Sequence, residues 1–504
     1  MKSLKELVDL LSPNKLKKIN LLDLHASPES KINKLYRAIS NGKVKTEEEA
    51  QDLLYGDLKH ASAYGNVKKR LRERLLNTLF FIDVDGRKVN DRQRAIIEVE
   101  RDLSSALILL AKGAKRSGED ILKRCLRKAI KFEFVGSVLY VSRVLRLQHG
   151  TTRNRRKDYI YYSELHDEYK TIDRWEELAE NRYADLMSRY LAGKEDPELL
   201  SEEAKKYYEE VSEALPEVDT YRYRFFTTLI RFLQYTIKND YPPVIPISKE
   251  AIKFFKTKPY TAKTPIQQCL HHQLVAYMQL KDYKRGYQVA KQGEELLEEG
   301  ENNWFKNREY LLLLALHTSY YQEAYKHYKE AVGHRRFEFL TEEQQRYWGI
   351  YRAYLHFLIR QKLIKPNPGD RDFSTQKHNK MLSEPVREAN ERRRTNIPLL
   401  IIQTVSALEL ENRELASAKI GALEKYSYRN LYEQGGMRPF FFIRLLSDLN
   451  KAEFDREKAT LQAEKHLKEL SALEGTNSTP FHKMEIIPFE KLWEMVLDLA
   501  AQKC

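Results

Sequence analysis

The chain has 504 residues, more than one ordinary hydrophobic core accommodates, and only 19 glycines and 16 prolines. So few turn residues, together with a charged fraction of 32%, disfavour β-sandwiches and doubly wound sheets and favour helices with wide polar faces. Three cysteines exclude a disulfide framework and a tetrahedral cysteine metal site, and no apolar run approaches the roughly 20 residues that span a bilayer. We therefore expect an all-α protein of several domains, without membrane segments or a signal peptide, located in the cytoplasm.

The net charge of +14 is concentrated in the first third of the chain. Residues 1–170 contain 36 Lys and Arg against 23 Asp and Glu, so they account for +13 of that charge. An excess of this kind points to an anionic partner.

Residues 1–88 are predicted to form a small basic helical module. Thr46 followed by Glu49 is a capping-box pattern, which starts a helix. Leucines then recur at helical spacing across Leu71–Leu79, and Asp83–Val89 supplies a turn.

Residues 89–240 are predicted to form a region of long helices, because no proline occurs between Pro28 and Pro197. Turns are expected at Ser117-Gly118 and at Val135-Gly136. The predicted helices are 90–115, 118–132, 137–148, 155–192 and 221–238.

Cationic side chains in this region form the predicted surface for an anionic partner. Three of them recur at helical spacing on one face of the second helix, two lie beside that face, and a further cluster precedes several tyrosines. The predicted patch comprises Lys123, Arg124, Arg127, Lys128, Lys131, Arg153, Arg155 and Arg156. A solvated helix face accounts for the same pattern, and this alternative stays open.

The prolines in Asp240–Pro246 break the helical pattern, and a repeat follows in residues 241–364. Tyr283, Gly286, Ala290 and Gly293 reappear 38 positions later as an aromatic–small–aromatic–small series with the same offsets, namely Tyr321, Ala324, Tyr328 and Ala331. Small side chains are needed where two antiparallel helices approach closely, and aromatic rings fill the space between pairs.

This series resembles the second helix of the tetratricopeptide repeat, although the first helix of each pair is degenerate. The resemblance implies an α-solenoid of antiparallel helix pairs that binds proteins or peptides. Looser pairs follow in residues 385–504, which are predicted to end in a capping element. Lys365–Ser383, with two prolines, is predicted to be a loop or insertion.

A peptide-binding groove is predicted on the concave side of the solenoid. Tyrosine can pack its ring and keep its hydroxyl in water, which suits recognition of an extended segment. The candidate groove residues are Tyr277, Lys281, Arg308, Tyr310, Tyr320 and Tyr354. Packing between repeats is the alternative for the tyrosines, and we favour it for Tyr283, Tyr321 and Tyr328.

Catalytic motifs are not apparent in the sequence, which has no phosphate-binding loop, nucleophile elbow or paired-histidine metal helix. His271 and His272 are adjacent and so face different sides of a helix. Cys125, beside Arg124 and Arg127, is either a reactive or a buried structural thiol, and we favour the buried one.

We therefore predict a non-enzymatic scaffold or regulator that binds a protein partner and needs no cofactor. Nucleic-acid binding through the first 170 residues is the alternative. An enzyme with an unrecognised site is a third hypothesis.

Overall fold

A computed structural model describes residues 29–44, 46–56, 61–79, 90–151, 155–192, 195–374, 393–410, 412–430, 437–473 and 484–501. Within these ranges the chain forms 20 α-helices and two short 3-10 helices, at Phe337–Phe339 and Arg371–Phe373, and contains no β-strand. The predicted all-α class is therefore confirmed.

The chain divides into two compact units. The N-terminal unit comprises residues 1–173 with 259–261, and the C-terminal unit comprises residues 174–258 and 262–504. The division lies inside a helix and was not predicted. The finer sequence boundaries near 88, 240, 364 and 385 remain predictions.

The N-terminal unit contains six helices and the first part of a seventh. They are α1 (Lys31–Ser40), α2 (Glu47–Tyr55), α3 (Ala61–Leu79), α4 (Asp91–Ala111), α5 (Lys115–Lys131), α6 (Val135–Thr151) and α7 (Arg156–Ala192).

The first three helices enclose a small core of Leu35, Ala50, Tyr64 and Leu71. The predicted capping box is present, because Thr46 Oγ1 and Glu49 Oε2 each accept a hydrogen bond of 3.2 Å from the other residue's amide. The predicted turn over 83–89 lies outside the described residues.

The turns around α5 differ from the sequence prediction. Ser117 and Gly118 lie inside α5, where a Cβ at position 118 would stand 2.9 Å from the Leu110 side chain of α4. The glycine thus permits close helix packing rather than a turn. Val135 and Gly136 likewise start α6, and the actual turns contain Gly113 and Glu133, both with positive φ.

The C-terminal unit contains the rest of α7 and thirteen further helices. They are α8 (Pro197–Ser212), α9 (Tyr221–Thr236), α10 (Val244–Lys256), α11 (Lys263–Gln279), α12 (Tyr283–Glu294), α13 (Asn302–His317), α14 (Tyr321–Val332), α15 (Glu342–Arg360), α16 (Arg393–Glu409), α17 (Arg413–Asn430), α18 (Met437–Lys451), α19 (Arg456–Ala472) and α20 (Phe489–Ala501). The proline break is shorter than predicted, because α10 begins directly after Pro243 and holds Pro246 in its first turn, where proline is tolerated.

Neighbouring helices in this unit pack in adjacent pairs, as the repeat pattern predicts. Ala324 and Ala331 are fully buried, and α14 packs against both α13 and α15. A Cβ on Gly286 of α12 would stand 2.8 Å from Leu314 of α13 and 3.3 Å from Tyr277 of α11. Small residues therefore stand where helices cross, an arrangement consistent with a helical-repeat solenoid.

One type of turn recurs at the C-terminal ends of helices in this unit. Lys281, Ser319, Lys362 and Glu453 each adopt φ between 52° and 62°. In each turn the following amide donates to the carbonyl five residues earlier, as Tyr320 does to Ala315 at 2.8 Å. This is the Schellman motif, here built on residues other than glycine. It fixes the direction in which the chain leaves each helix.

The segment 484–501 covers helices that lie far from it in the chain. Helix α20 packs against α16, α18 and α19. His317 Nε2 at the end of α13 donates to the Glu485 carbonyl at 2.7 Å. Arg438 of α18 is buried and forms bidentate ion pairs with Glu485 (2.5 and 2.9 Å) and with Glu490 (2.8 and 2.8 Å). These contacts fix the segment as part of the core.

Candidate binding surfaces

Three of the predicted groove tyrosines are core residues, which corrects the sequence interpretation. Tyr277, Tyr310 and Tyr354 are each less than 5% exposed. The Tyr354 hydroxyl donates to the Pro398 carbonyl at 3.1 Å, and the Tyr310 ring meets the His271 ring edge-on at 4.4 Å. Their helices are buried on nearly all sides by neighbouring helices, so these rings cannot line an open groove.

Arg308 is also committed to internal contacts. Its guanidinium lies 2.9 Å from both Glu294 and Glu330, and it covers the Trp304 ring at 5.1 Å. Only 9% of the residue is exposed. Its role is therefore to join α12, α13 and α14.

The other two groove residues, Lys281 and Tyr320, are exposed and lie together. Both line an open cleft of about 650 Å³ formed by residues 280–284, 317–320 and 488–494, which we call the turn cleft. Two of the Schellman turns and the start of α20 thus supply its walls.

A stacked tyrosine pair forms the apolar part of the turn cleft. The rings of Tyr283 and Tyr320 lie 4.0 Å apart with an interplanar angle of 12°, and Tyr320 is 45% exposed. Burial raises the pKa of Tyr283 to about 12, so its hydroxyl stays protonated at neutral pH. Burial lowers the pKa of His317, which also lines this cleft, so its ring is neutral there. The cleft therefore presents neutral rings and hydroxyls within a rim of mixed charge, formed by Lys281, Asp282, Lys284, Glu490, Lys491 and Glu494.

Three of the eight members of the predicted basic patch form close ion pairs with acidic side chains. Arg124 makes a bidentate ion pair of 2.8 and 2.9 Å with Asp102, and Lys128 pairs with Glu98, because α4 turns its acidic face towards α5. Lys123 pairs with Glu119 at 2.8 Å within its own helix. These three cations are largely neutralised and do not form a free stripe.

The remaining members of the patch differ among themselves. Arg155 lies 3.7 Å from Asp158, and the Lys131 ammonium lies 5.3 Å from the Phe132 ring. Arg127 is exposed, and Arg153 lies outside the described residues. Of the patch members within the described residues, only Arg156 lies beside Arg143 and Arg146 of α6.

The exposed face of α6 forms a second candidate surface, which we call the arginine cleft. It consists of two adjoining cavities of about 490 and 640 Å³ that share Arg143, Leu147 and Thr151. The cationic, aromatic and aliphatic side chains that line these cavities include Lys115, Tyr140, Arg143, Arg146, Leu147, Arg156 and Tyr159. Sequence reasoning missed most of them, although α6 contains two arginines and no Asp or Glu in 17 residues.

A buried polar cluster supports this cleft from beneath. His149 is fully buried, its ring stacks on Tyr162 at 5.5 Å, and its Nε2 lies 3.4 Å from Glu119. Burial lowers the pKa of His149, so its ring is neutral at pH 7. Glu119 therefore links α5 to α6 beneath the arginines.

Cys125 is the buried structural thiol that we favoured from the sequence. Its Sγ is fully buried and donates to the Val99 carbonyl at 3.6 Å. Burial raises the pKa of this thiol to about 11, which disfavours the reactive thiolate despite the neighbouring Arg124.

Among the described residues, no group of three or more His, Cys, Asp or Glu side chains is arranged to hold a metal ion. None of the described helices has the length and apolar character needed to cross a lipid bilayer. No protein-family model matches the chain, and no curated protein or solved structure is significantly similar to it.

Proposed function

We propose that the chain is a non-enzymatic interaction scaffold, in which a tetratricopeptide-like α-solenoid binds an extended protein segment at the turn cleft. The stacked pair of Tyr283 and Tyr320 carries this proposal. Tyrosine is enriched at protein interfaces because it offers a large apolar surface with little conformational entropy to lose.

The shape of the turn cleft favours an extended segment over a folded domain. A volume of about 650 Å³ accommodates a few side chains. The tyrosine rings can cover an apolar side chain of the partner, and their hydroxyls can bond its backbone. Lys284 supplies a polar rim, and the Schellman turns at Lys281 and Ser319 hold the walls rigid.

Site-specific crosslinking in cells tests the proposal. A photoreactive phenylalanine analogue at Tyr320 is expected to yield one dominant protein adduct, and Tyr283→Ala in the same chain is expected to abolish it. The matched control places the analogue at Phe339, which is 76% exposed in the same unit but outside the cleft. Identical adducts at both positions, or no adduct at Tyr320, would contradict the proposal.

A further inference from the structure

We propose that the arginine cleft of the N-terminal unit binds single-stranded nucleic acid. This site is separate from the turn cleft and uses none of its residues.

The charge of the arginine cleft is uncompensated. Lys115, Arg143, Arg146 and Arg156 line its two cavities, and no acidic residue lines either of them. Within the described part of the chain none of these four cations has an ion-pair partner, whereas Arg124 and Lys128 on the next helix both do. Unpaired arginines retain their donors for phosphate oxygens, which they bind in a bidentate manner.

The placement of the arginines suits a chain of phosphates. Arg143 and Arg146 are three residues apart on α6, so they are neighbours on the helix surface. Arg156 begins α7 and lines the second cavity together with Arg143 and Arg146. A row of cations along an open cleft can follow a backbone that carries one charge per nucleotide.

Exposed rings and an aliphatic side chain alternate with these cations. Tyr140 lines one cavity and Tyr159 lines the other, with exposed fractions of 43% and 38%. Leu147 lies between them and is 65% exposed. The Tyr159 ring rests on Gly150, where an added Cβ would stand 2.9 Å from the ring. Base faces can stack on such rings only when they are unpaired, so a single strand fits this cleft better than a duplex.

An acidic protein segment is the competing ligand for the same charges. It would neutralise the cations and cover Leu147, but it gives no specific use to the two exposed tyrosines, one of which lines each cavity. The nucleic-acid proposal uses all of these side chains at once.

Fluorescence anisotropy with the full chain and labelled 15-nucleotide RNA and DNA tests the proposal. The charge variant is Arg143→Gln with Arg146→Gln. Its control, Arg124→Gln with Lys128→Gln, removes two cations from the adjacent helix that are already ion-paired. We expect the charge variant to bind at least about tenfold more weakly at low salt. The slope of log K against log salt is negative, and its magnitude should decrease by about 1.4 because two phosphate contacts are lost. The control is expected to change affinity less than about threefold.

The rings are tested separately from the charges. Tyr140→Ala and Tyr159→Ala are each expected to weaken single-strand binding by about fivefold or more, since stacking on an aromatic ring contributes about 1–3 kcal/mol per base. Tyr161→Ala, an exposed tyrosine that lines neither cavity, is the control. Comparing the RNA and DNA arms shows which strand the cleft prefers.

Several results would overturn the proposal. The first is that neither RNA nor DNA binds at about 50 mM salt or below. The second is that the charge variant and its control lose affinity equally. The third is that neither tyrosine replacement changes the affinity. Binding of polyglutamate as tight as that of RNA would likewise replace it with an acidic protein ligand. Circular dichroism melts of every variant separate these outcomes from misfolding.

Discussion

Replacement of Gly286 by alanine tests how closely α11, α12 and α13 approach one another. Any glycine-to-alanine change inside a helix gains up to about 1 kcal/mol of helix propensity. At position 286 the new Cβ would stand 2.8 and 3.2 Å from the two methyl groups of Leu314, which is fully buried, and 3.3 Å from the Tyr277 Cβ. One of these neighbours must therefore move.

Gly349, inside α15 of the same unit, provides the matched control, because no atom lies within 4 Å of its added Cβ. Overpacking a buried site costs about 1–3 kcal/mol. We therefore expect Gly286→Ala to leave the unit between unchanged and about 2 kcal/mol less stable, after the propensity gain is subtracted. Gly349→Ala should stabilise it by up to about 1 kcal/mol, so the two variants should differ by about 1–3 kcal/mol.

Tryptophan fluorescence during urea unfolding measures this difference in the relevant unit. All four tryptophans lie in the C-terminal unit: Trp175, Trp304, Trp348 and Trp493. The difference in midpoint at constant m-value gives the difference in unfolding free energy. If Gly286→Ala were as stabilising as Gly349→Ala, the close approach of α11 and α13 to Gly286 of α12 would be refuted.

Three further predictions concern the same unit. Lys362→Gly should stabilise it by up to about 1 kcal/mol in urea unfolding, because lysine is strained at φ 59° and glycine is not, and a loss of stability would contradict the Schellman assignment. Arg438→Met should lower the free energy of unfolding by about 3–5 kcal/mol, because it leaves Glu485 buried without its cation. Adding Glu485→Gln should recover part of that loss, and a double variant no more stable than Arg438→Met would contradict a stabilising ion pair. Burial lowers the pKa of His356 to about 4, whereas a histidine in the unfolded chain titrates near 6.5, so protonation favours the unfolded chain. As pH drops from 6.5 to 5, the free energy of unfolding should decrease by about 2 kcal/mol more in the native chain than in His356→Gln. Parallel pH profiles of the two proteins would refute this.

Helix positions were largely predictable because they follow from local chemistry. The absence of proline between Pro28 and Pro197 predicted long helices, and the small residues around Ala324 predicted close helix crossings. Turn positions were less accessible. Ser117-Gly118 has the composition of a turn, but Gly118 serves packing against α4, and the real turns place Glu133 and Lys281 at left-handed positions that nothing in their chemistry marks.

Binding residues were harder to predict because their exposure depends on distant parts of the chain. Helical spacing placed Arg124 and Lys128 on a cationic stripe, but their partners Asp102 and Glu98 lie on another helix. Tyr354 likewise lies on a helix that neighbouring helices cover on nearly every side. The sequence did not predict Arg143 as a binding residue, because the absence of acidic side chains around it depends on how α6 packs in the folded chain.

The hydrogen bond between His317 and Glu485 joins residues 168 positions apart, which affects folding of the chain during its synthesis. During translation, α13, α16 and α18 leave the ribosome well before the segment that covers them. The Phe442 ring, which stacks on Phe489 at 4.6 Å and is buried in the finished molecule, lacks that cover during the interval. Until the segment is synthesised the nascent chain is prone to aggregation, because exposed apolar surface on an incomplete fold promotes it.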